Sequence, residues 1–301
     1  WLITGGRVLS GAETPVRDVG VVDGLIAASV REDMQPFDAS GCLVLPGIVD
    51  VHGDAFERQI QPRPGVAFSI DVALFETDRQ LIANGITTAF HGLTVSWEPG
   101  LRSIETGRIF VETLRRVRPR LSCDTRLHIR WETFALDALE EVLAWAASEE
   151  GPIFAFNDHT TSMVDGGKDT KNLSQWAARS GLSSGGYLEL LGSVSRRRDE
   201  VENAVQSAAR RASAHGAVLF AHDEASPADR IKYRELGIVA SEFPMTDETA
   251  QVARAAGEHT ILGAPNVVRG GSHTGAMNAA DAVEQGMCSV LASDYYYPSQ
   301  L

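Results

Sequence analysis

The chain has 301 residues, with 27 Lys+Arg against 40 Asp+Glu, a formal net charge of −13, and 44% hydrophobic against 22% charged residues. This is the composition of a folded globular protein and excludes disordered, collagen-like and disulfide-scaffold classes, while the acidic balance argues against nucleic acid or a membrane surface as partner, both of which need surplus Lys and Arg. The length suits one large α/β domain or two domains. Cys42, Cys123 and Cys288 are an odd number, widely spaced and each inside an apolar run. Buried free thiols in a reducing, cytoplasmic location are the expectation. No stretch reaches the roughly 18 apolar residues of a membrane span.

In chain order, residues 2–9, 18–22, 25–30 and 41–45 read as short strands, with Asp23-Gly24 as a hairpin turn between the second and third. A small antiparallel sheet is predicted for residues 1–45. After Pro46, short apolar segments alternate with stretches of helical period at 71–84, 101–117, 136–148 and 199–215. The apolar segments lie at 47–52, 86–91, 126–131, 153–157, 217–221, 238–243, 260–264 and 288–293. Eight strands alternating with helices predict an α/β fold, a (β/α)8 barrel over residues 46–301. The polar stretch 165–186, rich in Gly, Ser and Lys, reads as an inserted loop.

His52, Asp54, Glu132, His159, His222 and Asp294 each fall at or just past the C-terminal end of a predicted strand. Barrel active sites lie on that face. In His52-Gly53-Asp54 the strand period of two points both side chains the same way. Imidazoles and carboxylates converging from separate strands suit one or two divalent cations, Zn, Mn or Fe, and their burial would be costly without one. His128, Arg130 and Glu132 alternate along one strand, which places three polar groups on one face. Asp158 and Asp223 flank His159 and His222, where a carboxylate can orient an imidazole. His91 ends the second barrel strand and is a candidate to line the site. Arg269-Gly270-Gly271-Ser272-His273 is a cationic, glycine-rich turn of the kind that holds phosphate.

These residues resemble the amidohydrolase superfamily, and within it a branch of phosphonate metabolism that splits pyrophosphate from a ribose 5-triphosphate. The resemblance rests on Leu45-Pro46-Gly47-Ile48-Val49-Asp50-Val51-His52-Gly53-Asp54, Pro62-Arg63-Pro64-Gly65, Gly85-Ile86-Thr87-Thr88 and Arg126-Leu127-His128-Ile129-Arg130-Trp131-Glu132. It continues through Asp158-His159, Ala221-His222-Asp223-Glu224, Glu242-Phe243-Pro244, the block from Gly263-Ala264-Pro265 to Ser272-His273, and Ser293-Asp294-Tyr295-Tyr296. Two positions depart from the branch. Thr160-Thr161-Ser162-Met163 follows His159 where Pro-Gly-Gln-Arg-Gln is usual, and Ala55 stands where an Asn follows the acidic ligand.

The resemblance implies a cytoplasmic metal-dependent hydrolase acting on a phosphorylated sugar. Residues 1–45 would form part of a β-sandwich whose remainder lies beyond residue 301. His52, Asp54, Glu132, His159, His222 and Asp294 would be the metal ligands, with Glu132 bridging when two ions are bound and Asp294 the general base. Arg63, Arg130, Arg269, Ser272 and His273 would hold the triphosphate, with Lys168 and Lys171 as further cations. A homo-oligomer is compatible with this reading. The alternative within the superfamily is hydrolysis of a cyclic amide or amidine C–N bond.

Overall fold

The computed structural model describes residues 1–31, 33–63, 65–165, 170–271 and 277–301; Lys168, Ser272, His273 and the side chain of Lys171 lie outside the described residues. The chain divides into two compact units, residues 1–48 and 49–301.

The first unit holds β1 (Leu2–Thr4), β2 (Arg7–Val8), β3 (Val19–Val22), β4 (Leu25–Ile26), β5 (Pro36–Asp38) and β6 (Leu43–Val44). Four strands form a sheet in the order β4-β3-β1-β5, and β2 pairs with β6. The hairpin at Asp23-Gly24 is present, both residues having positive φ (49° and 78°), the conformation a two-residue hairpin turn requires. The sheet is mixed, not antiparallel. β1 pairs with β5, and β2 with β6, in parallel, because the chain crosses over between them and does not turn back directly. Cys42 is exposed and Cys123 buried, while Cys288 is intermediate; all three are free thiols, so burial holds fully for one of them.

The second unit is a barrel of eight strands: β7 (Ile48–Gly53), β8 (Ile86–Val95), β9 (Asp124–Glu132), β10 (Ile153–Asn157), β11 (Val218–His222), β12 (Ala240–Glu242), β13 (His259–Gly263) and β14 (Val290–Ala292). They are hydrogen-bonded in that order in one sheet. A parallel bridge between Gly53 and Asp294 closes the first strand on the last. There the Asp54 N–H donates to the Asp294 carbonyl and the Asp294 N–H to the His52 carbonyl, both at 2.9 Å.

Helices Ile70–Ala83, Ile104–Val117, Leu139–Ser148 and Arg198–Ala214 stand where helical period was read. The second shows why. Ser103 caps it by accepting from the Thr106 N–H, and Phe110, Val111, Leu114 and Val117 recur on one buried face. The described part of the stretch 165–186 is mostly helical and not a loop. Helices Thr170–Ser180 and Ser184–Ser195 occupy most of it, the second capped by the Ser183 hydroxyl accepting from Gly186. Ser183 is a cap and Gly181 a positive-φ turn between the two helices, while Gly185 and Gly186 lie within the second, which composition alone does not reveal. No helix among the described residues is long and apolar enough to cross a membrane.

β8 runs to Val95, four residues past the expected end, and this changes the place of His91. It lies on the outer face of its strand, buried in the helix layer between Phe56 and Phe110 (ring centroids 5.4 and 5.9 Å). It does not line the barrel mouth.

Candidate functional site

The polar face of β9 looks inward. Leu127, Ile129 and Trp131 pack into the helix layer, so strand alternation sends His128, Arg130 and Glu132 into the barrel, where all three are buried. Neighbouring strands supply the rest: His52 from β7, His222 from β11 and Glu242 from β12, with Asp54, His159, Asp223 and Asp294 just past strand ends. Asp223, Phe243 and Asp294 have left-handed φ (56°, 53° and 53°). That conformation is tolerated by Asp and costs about 1 kcal/mol or more for Phe. It turns the chain sharply off β11, β12 and β14 at the mouth.

The side chains form two tiers. In the lower tier Glu242, fully buried, meets His52 Nδ1 at 2.8 Å and lies 3.5 Å from His128 Nε2 and 3.9 Å from His222 Nε2. His128 Nδ1–H donates to the Val51 carbonyl at 2.9 Å. In the upper tier Arg130 donates to Asp54 and lies against His222 Nε2, each at 3.0 Å. His159 Nε2 and His222 Nδ1 both approach Asp223 Oδ2 at 3.1 Å. Glu132 accepts from the backbone N–H of His159 (3.2 Å) and of Thr160 (3.1 Å) and from the Thr160 hydroxyl (2.7 Å). Thr160 Oγ1 in turn accepts from the Trp97 indole at 2.8 Å.

Protonation follows from this crowding. Burial raises Asp294 well above the usual carboxylate range, and the negative charge of Asp54 beside it raises it further. Burial, then Arg130 and His222, hold His52 well below an ordinary imidazole, and burial lowers His128 to about 3. His159 is the opposite case. Burial works against its charge, yet its bonds to Asp223 and Glu132 prevail and raise it to about 9.

These residues fit a divalent cation. His52 Nε2 is buried with no hydrogen-bond partner, and Gly92 leaves the space beside it clear, since a Cβ there would stand 3.0 Å from that nitrogen. His52, Asp54 and Asp294 bring ligand atoms within 4.8 Å of one another, as do His159, His222 and Asp223, and His52, His128 and Glu242. Five of the six expected ligands thus fall in such groups, and Glu132 touches the second through His159. Sequence reasoning did not count His128, Asp223 and Glu242 as ligands. Glu242 had a signal: an acid inside a short apolar segment read as a strand. Of the expected phosphate contacts, Arg130 lies inside the cluster. Arg269 is exposed, 3.4 Å from the hydroxyl of Tyr295, and Arg63 is exposed on a turn bridged to Val66.

The fold is an eight-stranded (β/α)8 barrel shared with metal-dependent hydrolases, and its mouth gathers side chains able to hold a metal ion. An uncharacterized metal-dependent hydrolase from Pyrococcus furiosus superposes with a TM-score of 0.59 at 7% identity, covering 97% of this chain and 84% of the other. Guanine deaminase from E. coli gives 0.52 at 10%, covering 99% and 75%. At these identities the likeness is one of fold. In sequence, the chain is 27% identical over 273 residues to the α-D-ribose 1-methylphosphonate 5-triphosphate diphosphatase of Escherichia coli (strain K12), covering 89% of this chain and 72% of that enzyme. No family model matches the chain.

Proposed function

We propose that this protein hydrolyses a ribose 5-triphosphate, α-D-ribose 1-methylphosphonate 5-triphosphate or a close analogue, releasing pyrophosphate. The observation that carries the reading is the convergence of His52, Asp54, His159, His222 and Asp294, beside Glu132, at one end of the barrel in a chain related to a triphosphate diphosphatase. Those six side chains would hold one or two divalent ions. A cation bound there supplies Lewis acidity and an acidified water at neutral pH.

The protein's own groups do the remaining work. Asp294 stands next to Asp54 at the closing seam; its ionised form would be favoured beside a bound cation, and the carboxylate would then take the proton of the attacking water and pass it toward the leaving oxygen. Asp223 and Glu242 orient His222 and His52 by accepting hydrogen bonds or facing their ring nitrogens, which fixes the imidazole planes. Arg269, exposed and 3.4 Å from the Tyr295 hydroxyl, would neutralise phosphate oxygens arriving from solvent.

The test is pyrophosphate release from ribose 5-triphosphates by protein reconstituted with Zn, Mn or Fe, with a cyclic amide assayed in parallel. Release of pyrophosphate that depends on added metal supports the reading. Turnover of the cyclic amide without pyrophosphate release would assign the C–N hydrolase alternative.

A further inference from the structure

A cavity of about 180 Å³ opens beside the Glu132–His159 edge of the site. It is lined by Trp97, Trp176, Met163, Thr94, Ser96 and Ser162 together with Glu98, Arg102 and Arg179. Both of its arginines are already paired with carboxylates, although Arg179 Nε is buried without a partner. Arg102 makes two bonds to Glu57, at 2.9 and 2.8 Å, and Arg179 donates to both oxygens of Glu98, at 2.8 and 2.6 Å. Glu98 also accepts from the hydroxyl of Tyr187.

A phosphate bound there would compete with Glu57 and Glu98 for the two guanidiniums, and both carboxylates lie at low exposure, where losing a partner is costly. What remains on offer is aromatic surface and hydroxyls. Trp97 and Trp176 both pack on Tyr187 (ring centroids 5.5 and 6.2 Å), so a rigid ring platform backs the cavity. At about 30 Å³ per water molecule the volume is that of about six waters, room for one flat ring system. The cavity also belongs to the site by connection: the Trp97 indole donates to Thr160, whose hydroxyl donates to Glu132. Arg269 and Asp294, by contrast, stand at the β13, β14 and β7 side of the mouth.

We propose that this cavity receives a flat, uncharged heteroaromatic ring carried on the end of the substrate remote from the triphosphate. The inference rests on the proposed triphosphate hydrolysis for its orientation and, among ribose 5-triphosphates, favours an analogue that carries a ring where the methylphosphonate would stand, so that the substrate has two unlike ends. Phosphates lie toward Arg269, and the ring lies against Trp97 and Trp176. Stacking on aromatic faces tolerates different rings, so the class is a base-like heterocycle, read by shape more than by a single hydrogen bond.

Two measurements on the intact, metal-loaded protein test it. In saturation-transfer NMR with adenosine, which carries no phosphate, the ring protons are expected to receive saturation, and Trp176→Leu to reduce it at least fivefold. In kinetics, kcat/KM for adenosine 5′-triphosphate is expected to exceed that for ribose 5-triphosphate by tenfold or more, and Trp176→Leu to shrink that ratio toward one. Absent ring saturation, saturation unchanged by Trp176→Leu in a variant of normal melting temperature, or a wild-type ratio near one would each overturn the proposal. Ring binding with no pyrophosphate released from any triphosphate would uphold the cavity's role and overturn the proposed reaction instead.

Discussion

His52 and His91 are both fully buried imidazoles on neighbouring barrel strands, and burial lowers both, His91 to about 4. Their surroundings differ in kind. His52 points into the lumen, where Glu242 takes its Nδ1 and His128, His222 and Asp54 crowd around it. His91 points outward between Phe56 and Phe110, and neither ring nitrogen has a hydrogen-bond partner. In the lumen the buried polar groups face one another in an arrangement that a cation would complete; the helix layer offers His91 no partner. A buried polar group marks a site when its neighbours are polar too, and otherwise it is a weakness of the fold.

The comparison breaks first at Asp294. Asn there keeps the shape and the backbone bridge but removes the proton-accepting charge, so turnover is expected to fall by about 10²-fold or more with little change in melting temperature. Activity within a few-fold of wild type would end its assignment as base.

On the outer side, His91 makes stability depend on pH. Its folded pKa of about 4 lies below the ordinary 6.5 because of burial and, secondarily, Arg118. The unfolded chain therefore gains a proton first as pH falls. The stability contribution is complete above about 6.5 and is lost on the way down to about 4, about 3 kcal/mol in all. His91→Leu should escape this loss, so denaturant titrations at pH 7 and pH 4 should show the variant gaining on wild type by that order. Parallel curves would refute it.

Thr160→Val tests the support of Glu132. Valine matches the shape but cannot donate to Glu132 or accept from Trp97, so metal affinity by chelator competition should weaken about tenfold, with Thr160→Ser recovering most of it. Equal affinity in all three proteins would leave Glu132 unconnected to the metal. The smallest effect is expected at Arg269. Lysine keeps the charge and loses the planar fork, for a loss of a few-fold in kcat/KM on a triphosphate, against about tenfold for alanine. No loss in either variant would move the phosphates elsewhere.

Much of this was legible in the sequence because a parallel barrel repeats one signal eight times. All eight strands lie where short apolar runs were read, and the strand-end residues converge because that is where the fold gathers them. Three things were not legible, each for a physical reason. His91 points outward because it shares its face with Leu93 and Val95, which pack in the helix layer, and Gly92-Leu93-Thr94-Val95 extends β8 without any break in composition that would show this. Between the two helices that enter 165–186, Gly181 turns the chain with positive φ and Ser183 caps the second, and this punctuation reads as loop in the sequence. Glu242 lies on a strand of three residues, too short to show an alternation that would announce an inward-facing acid.

The closing seam gives the molecule an internal reporter. Asp294, the proposed base, also donates and accepts the two main-chain hydrogen bonds that join the last strand to the first. Solvent exchange of the Asp54 and Asp294 amide protons therefore tracks how often the ring of strands opens, and every opening removes the base from its place. Exchange at these two amides should slow together when a cation is loaded, before any substrate is added, and a cation that occupied the lumen without tightening the seam would leave them unchanged.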